Sequence, residues 1–343
     1  MASFWFDRLT GRLREMSLLV KKTSLARLLL LMAALLYGAY CTVYLNNHYA
    51  LDSGDVVSLV NNFAAFGSVT GVLEYSSSRT GLALLSGDAA FRISVLFLTE
   101  VFDVSSLSIL GWLAFSISSF IFYICASNVR PSAQVGLIIV LFFMVFLTPR
   151  VVNLFASGVR SGIAFALLLM AITYFHGIQR YLMLGLATLF HASMAPMIFF
   201  YILYFMLRSI RIQLSFLSTL FLIAVCSSAI ALVTPVLSFT YAGSGVNQSI
   251  LYMMLVIFLG FSMIFLNRRV VKDVFGFMAV GLFLVIVAGY FIDFSFIRYI
   301  GNSIILYLLF IVRDRAVSTV PLYLLIYTPF FLLTLYYSIA NYS

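Results

Sequence analysis

The sequence predicts an all-α fold: a polytopic helical bundle in a membrane, with about ten or eleven membrane segments. Three observations predict it. Sixty-four percent of the 343 residues are hydrophobic and only nine percent are charged. Mean hydropathy is +1.12, whereas a soluble domain carries roughly a quarter charged residues because its surface faces water. The third observation is the run length of the apolar stretches, close to the ~20 residues that a helix needs to cross a bilayer. A chain that cannot cover a globule with polar groups uses lipid as its solvent. That excludes a soluble enzyme, a disordered regulator and a nucleic-acid-binding domain.

The elements follow in chain order. Arg8, Arg12, Arg14, Lys21, Lys22 and Arg27 make residues 1–27 a basic tail ahead of a single transmembrane domain over 28–343. Basic residues otherwise sit in short loops, and the net charge of +9 is the positive-inside pattern of an inner-membrane protein rather than a nucleic-acid footprint. The run 28–45 reads as an uncleaved first span with a cytoplasmic N-terminus. No small-x-small cleavage site follows it, and Tyr40 precedes Cys41 where a lipoprotein site wants a small residue. A long outward loop occupies about 46–104. Within it, Asp88, Arg92, Glu100 and Asp103 fall in an arc of about 120° on a helix, which suits an interfacial helix better than a spanning one.

Apolar runs then occupy about 105–126, 133–149, 159–175, 181–207, 214–233, 250–266, 275–291, 296–312 and 320–340. The run 181–207 is long and holds His191, Ser193 and Pro196, so it is expected to enter and return with a bend there. If 88–103 does not cross, His176–Arg180, Arg268, Arg269, Lys272, Arg313 and Arg315 share the cytoplasmic side. Arg79, Arg92, Arg150, Arg160 and Arg298 then face outward.

Few residues could carry chemistry. Arg150, Asn153, Ser157 and Arg160 fall within an arc of about 80° if their segment is one helix. Guanidiniums at membrane depth are costly unless they meet an anion or a cavity, and arginine suits bidentate phosphate binding. Snorkelling from helix ends is the plainer role for them. His191, beside Ser193 at the expected bend, could serve as a general base or simply bond across helices. Asp55 could be a base, a ligand or a helix cap. Arg79 lies in the same loop, and Arg298-Tyr299 forms a late polar group near Asp293. Three cysteines and three histidines lack the spacing of a disulfide framework or metal site, so no metal or cofactor is expected.

The stretch Asn153-Leu154 … Gly158-Val159-Arg160-Ser161-Gly162-Ile163-Ala164, followed by Phe190-His191-Ala192-Ser193, resembles the EpsG/Wzy polysaccharide polymerases. Gly54-Asp55 and Arg298-Tyr299 resemble two further elements of that family. Ser161 stands where the family often has Gln, the Asn-to-Arg spacing is longer, and Gly and Asp are adjacent rather than spaced. The resemblance implies a membrane glycosyltransferase that joins undecaprenyl-pyrophosphate-linked repeat units on the outer face of the bacterial inner membrane. It implies lipid-linked glycan donor and acceptor as partners, with a chain-length regulator as a further one. On this pattern His191 and Asp55 are catalytic; Arg150, Asn153, Arg160, Ser193, Arg298, Tyr299 and Arg79 bind substrate. An O-antigen ligase and a lipid-linked oligosaccharide flippase are the rival expectations.

Overall fold

The computed structural model describes residues 26–47, 60–61, 63–64, 70–71, 89–129, 135–156, 158–210, 214–237, 250–290, 299–313 and 320–340. Asp55, Arg79, Ser157 and Arg298 lie outside them, as does most of the basic tail. The described residues form helices and no strands. These are α1 (Ala26–Asn47), α2 (Ala89–Phe102), α3 (Ser106–Ser127), α4 (Val135–Leu147), α5 (Pro149–Phe155), α6 (Val159–Thr173) and α7 (Gly177–Phe190). They continue as α8 (Ala195–Ser209), α9 (Phe216–Leu237), α10 (Ile250–Leu266), α11 (Val274–Tyr290), α12 (Tyr299–Arg313) and α13 (Val320–Ala340). Helices α1, α3, α9 and α13 are long and apolar enough to cross a membrane, and α4 with α5 would make a fifth crossing as a bent pair. The chain is a multi-pass helical membrane protein.

Helix directions follow from which residues meet. Thr42 Oγ1 donates to the Gly111 carbonyl (3.3 Å), while Tyr37, earlier in α1, stacks on Phe122, later in α3, at 5.2 Å. The two helices are therefore antiparallel, and residues 48–105 begin and end at the same end of the bundle. That agrees with an α2 that does not carry the chain across. Helix α2 buries Phe91, Val95 and Leu96 but leaves Phe97, Val101 and Phe102 exposed. Its last residue, Phe102, meets Trp112 edge-on at 5.8 Å, and Ser105 caps α3 by accepting from the Ser108 N–H.

Helices α6 and α7 form a tight antiparallel hairpin whose turn uses Gly177 at φ +55°, a conformation that favours glycine. Beyond α7, residues 191–194 break the helix, and Pro196 restarts it in the first turn of α8. The chain then comes back: the Arg180 guanidinium, at the start of α7, lies 6.0 Å from the Phe205 ring near the end of α8. The expected return at His191–Pro196 is what the structure contains. Each leg is 14 or 15 residues, about 21–23 Å at 1.5 Å per residue and short of the ~30 Å hydrocarbon core.

Helix α8 runs antiparallel to α11. Phe200 packs where Gly281 has no side chain, and Tyr204 donates to the Lys272 carbonyl at 2.9 Å. One end of the bundle thus gathers His176, Arg180, Arg208, Arg268, Arg269, Lys272 and Arg313. Helix α12 is the centre. Every residue from Tyr299 to Val312 is buried, against α11 on one side and α4, α5 and α3 on others. Because it is apolar almost all round and shielded from lipid, its Asn302 and Ser303 can be accommodated in the interior. Ser303 donates to the Ala279 carbonyl at 2.9 Å.

Two expectations are corrected. The run 133–149 does not end as one helix: α4 stops at Leu147, and the chain bends by 61° into α5. Pro149, which lacks an N–H and clashes with a preceding helical turn, forces this bend. Arg150, Asn153 and Arg160 consequently do not share one helix face. Arg150 and Asn153 are on α5 and Arg160 is on α6, and Gly158 stands between the helices as the N-cap of α6.

Candidate functional site

The bend at Thr148 is a built feature. The Thr148 side chain is fully buried. It donates to the Met144 carbonyl at 2.8 Å and shares a 2.6 Å hydrogen bond with Tyr327 of α13. Tyr327 in turn sits in a column of rings, with Tyr323 at 5.9 Å on one side and Phe330 at 5.7 Å on the other. Phe330 continues the column to Tyr252 at 5.9 Å.

Tyr252 receives the first arginine of the site. Arg150 Nε donates to its hydroxyl at 3.2 Å, and the guanidinium carbon lies 5.6 Å from its ring centre. Arg150 is half-buried and Tyr252 is buried. The backbone is clamped as tightly as the side chain. A Cβ on Gly301 would come to 3.1 Å from the Arg150 carbonyl oxygen, closer than ordinary van der Waals contact, so the glycine eases the close approach of α12 to α5. The next residue, buried Asn302, directs Nδ2 at Met197 Sδ (3.5 Å) in the first turn of α8. The start of α12 therefore touches both Arg150 and the helix restart after His191.

Arg160 arrives by another route. A Cβ on Gly162 would meet the Leu154 carbonyl at 2.9 Å, so this glycine lets the first turn of α6 lie against α5. Antiparallel pairing of α6 with α7 sets residue 191 level with that first turn, and the 192–194 turn packs against α6. His191 and Ser193 are buried, and the extended backbone of His191 closes α7 through its N–H to the Ala187 carbonyl at 3.1 Å.

Arg150, Asn153, Arg160, His191, Ser193 and Tyr299 are thus brought to one region, at the end opposite the basic cluster. Tyr299 opens α12 and is buried at 2% exposure. Tyr252, Asn302 and the Thr148–Tyr327 pair were not singled out from sequence. The one available signal was an asparagine inside an apolar run; a tyrosine among twenty gives none.

The electrostatics are one-sided. No Asp or Glu occurs between Asp103 and Asp273, a stretch that holds α3 to α10. A carboxylate near Arg150 or Arg160 has to come from the chain before Val104 or beyond Lys272. A half-buried guanidinium in apolar surroundings favours an anion, and a phosphate offers two acceptor oxygens in the geometry of its fork. Among the described residues no group of three or more His, Cys, Asp or Glu could hold a metal. No family model, curated protein or solved structure matches the chain.

Proposed function

We propose that this protein is a Wzy-type polymerase, a glycosyltransferase of the bacterial inner membrane acting at its outer face. The observation that carries the reading is that the starts of α5 and α6 carry Arg150 and Arg160 at the end of the bundle where the helix breaks at His191, within a stretch of sequence that holds no carboxylate. Positive-inside orientation puts the basic end in the cytoplasm and this region toward the exterior. The substrates are undecaprenyl-pyrophosphate-linked oligosaccharides, whose carrier tails lie in the membrane and whose pyrophosphates sit near its surface.

In the reaction an acceptor sugar hydroxyl attacks the anomeric carbon of the donor chain. The bond from that carbon to the pyrophosphate oxygen breaks, and the electron pair leaves with the polyprenyl pyrophosphate. Charge therefore develops on the leaving phosphate, where Arg150 and Arg160 stabilise it in a medium of low dielectric. Tyr252 and the ring column hold Arg150 in place, so little reorganisation accompanies the step. His191 takes the hydroxyl proton, with Asp55 as the second basic group. Asn153 and Ser193 supply neutral hydrogen bonds to sugar or phosphate.

The test is an electrophoretic profile of surface polysaccharide and carrier-bound glycan in a strain lacking the gene. Polymerase predicts loss of the ladder, with single repeat units transferred. Full-length polymer stranded on the carrier identifies a ligase instead. Units retained on the cytoplasmic face identify a flippase, and an unchanged ladder overturns the reading.

A further inference from the structure

The first turn of α12 meets three neighbours in succession. Gly301 lies against the Arg150 carbonyl of α5, Ser303 donates to the Ala279 carbonyl of α11, and Asn302 between them turns to Met197 of α8. Asn302 is buried at 2% exposure. A carboxamide brings two N–H donors and an oxygen with two lone pairs. Here Nδ2 has the Met197 thioether at 3.5 Å, and sulfur is a weak acceptor. Among the described residues Oδ1 has no hydrogen-bond partner.

Several buried hydroxyls of the bundle are satisfied within it. Ser303, Ser227 and Thr334 each donate to a helix carbonyl, at 2.9, 3.1 and 2.8 Å. Ser119 Oγ, unbonded like Asn302 Oδ1, occupies the space that Gly38 leaves between α1 and α3. Tyr323, also unbonded, is stacked 4.9 Å from Tyr307 and 5.9 Å from Tyr327. Both are enclosed by backbone or rings. Asn302 differs in its surroundings. It stands one residue from the contact with Arg150, and Met197 follows His191 by six residues. The carbonyls of α5 and α11 are fixed by their helices, whereas methionine is unbranched and has three rotatable bonds. An amide dipole with an unmade acceptor destabilises an apolar interior, and its neighbour is the one that can give way.

We propose that Asn302 binds substrate: its carboxamide takes a hydroxyl of the lipid-linked sugar, with the Met197 side chain moving aside. The identity of that ligand rests on the polymerase reading above. A sugar hydroxyl both donates and accepts, so it can satisfy either end of the amide. A phosphate offers acceptors only, and would leave Oδ1 unmade and facing negative charge. Asn302 therefore serves the sugar, while Arg150 and Arg160 serve the pyrophosphate.

The experiment uses the purified full chain in detergent and in liposomes, with undecaprenyl-pyrophosphate-linked repeat units extracted from a strain lacking the gene. Asn302→Leu keeps the branched outline with bulkier ends, and Asn302→Ala leaves a small void, so their steric effects run in opposite directions. Without substrate, at least one of them should melt at or above the wild-type temperature, because an unbonded buried dipole is gone. In both, kcat/KM for elongation should fall roughly 10- to 100-fold, with the loss in KM, as for a hydrogen bond made to bound substrate. The rise in melting temperature on adding repeat units should shrink in both. The rise with sugar-free undecaprenyl pyrophosphate should match wild type. Met197→Leu, a nearly volume-conserving change, should keep KM within about twofold.

If both Asn302 variants melt well below wild type, the amide is satisfied within the fold and the proposal is overturned. An unchanged kcat/KM, a loss confined to kcat, or an equal defect in Met197→Leu overturns it too. A weakened response to the sugar-free carrier overturns the assignment to the sugar. A wild-type chain that elongates nothing fails the polymerase reading instead. The proposal then stands if the repeat unit raises the wild-type melting temperature and not that of the Asn302 variants, and it falls otherwise.

Discussion

The 2.6 Å hydrogen bond between Thr148 and Tyr327 makes a sharp prediction, because both groups are buried and the bond sits at the 61° bend. Thr148→Val keeps the branched shape and removes the hydroxyl. The Tyr327 hydroxyl then loses its described partner in a fully buried position, and such a group costs about 1–3 kcal/mol. Tyr327→Phe is the reciprocal change; there Thr148 keeps its bond to the Met144 carbonyl, so the loss should be nearer 1 kcal/mol. Polar contacts between membrane helices average about 0.6 kcal/mol and reach about 1.7 in double-mutant cycles. The burial of this pair argues for about 1 kcal/mol of coupling. The assay is thermal or denaturant unfolding of the purified protein in detergent, for both single variants and the double. The double variant should be less destabilised than the two singles added together. Strict additivity, or a Thr148→Val protein as stable as wild type, would refute the reasoning that this bond fastens the bend.

Four further outcomes are expected. Gly301→Ala should lower stability modestly and Gly301→Val severely, because the new Cβ reaches 3.1 Å from the Arg150 carbonyl and a branched side chain has less freedom to yield; equal melting points for both would contradict this. Arg150→Ala and Arg160→Ala should each abolish long polymer at unchanged protein levels, and a normal chain-length distribution in either removes its role at the pyrophosphate. His191→Ala should also fail; if His191→Gln polymerises fully, the imidazole is structural and the base lies elsewhere. For sidedness, membrane-impermeant maleimide on intact spheroplasts should label Asn47→Cys and not Ser209→Cys, in a background where Cys41, Cys125 and Cys226 are replaced; the reverse pattern inverts the assignment.

Much of the local structure was legible in the residues. The break at His191–Pro196 was readable because an overlong apolar run with a histidine and a proline has few other solutions. The basic end was readable because cations are excluded from hydrocarbon and gather on one side. The bend at Thr148 was not, although Pro149 stood in view: an apolar run ending in Thr-Pro-Arg reads equally well as a span reaching its surface. Arg150 and Arg160 were assigned to one helix face, whereas they lie on α5 and α6, since little in the sequence between them except Gly158 signals a break.

The amino-acid sequence alone determined that this chain is a helical membrane protein and roughly where each helix lies. In lipid every backbone N–H and C=O must be satisfied within the structure, so apolar runs have little choice but helix. Only the tertiary structure decided that α12 is the buried centre, that α1 and α3 run antiparallel, and that Arg150, Asn302, Met197 and the His191 turn meet. The physical reason is that lipid-facing and protein-facing surfaces are both apolar, so hydropathy does not record which face of a helix finds a neighbour. That choice rests on where glycines such as Gly162 and Gly301 allow backbones to approach and on which buried hydroxyls find partners, and both are properties of the assembled bundle.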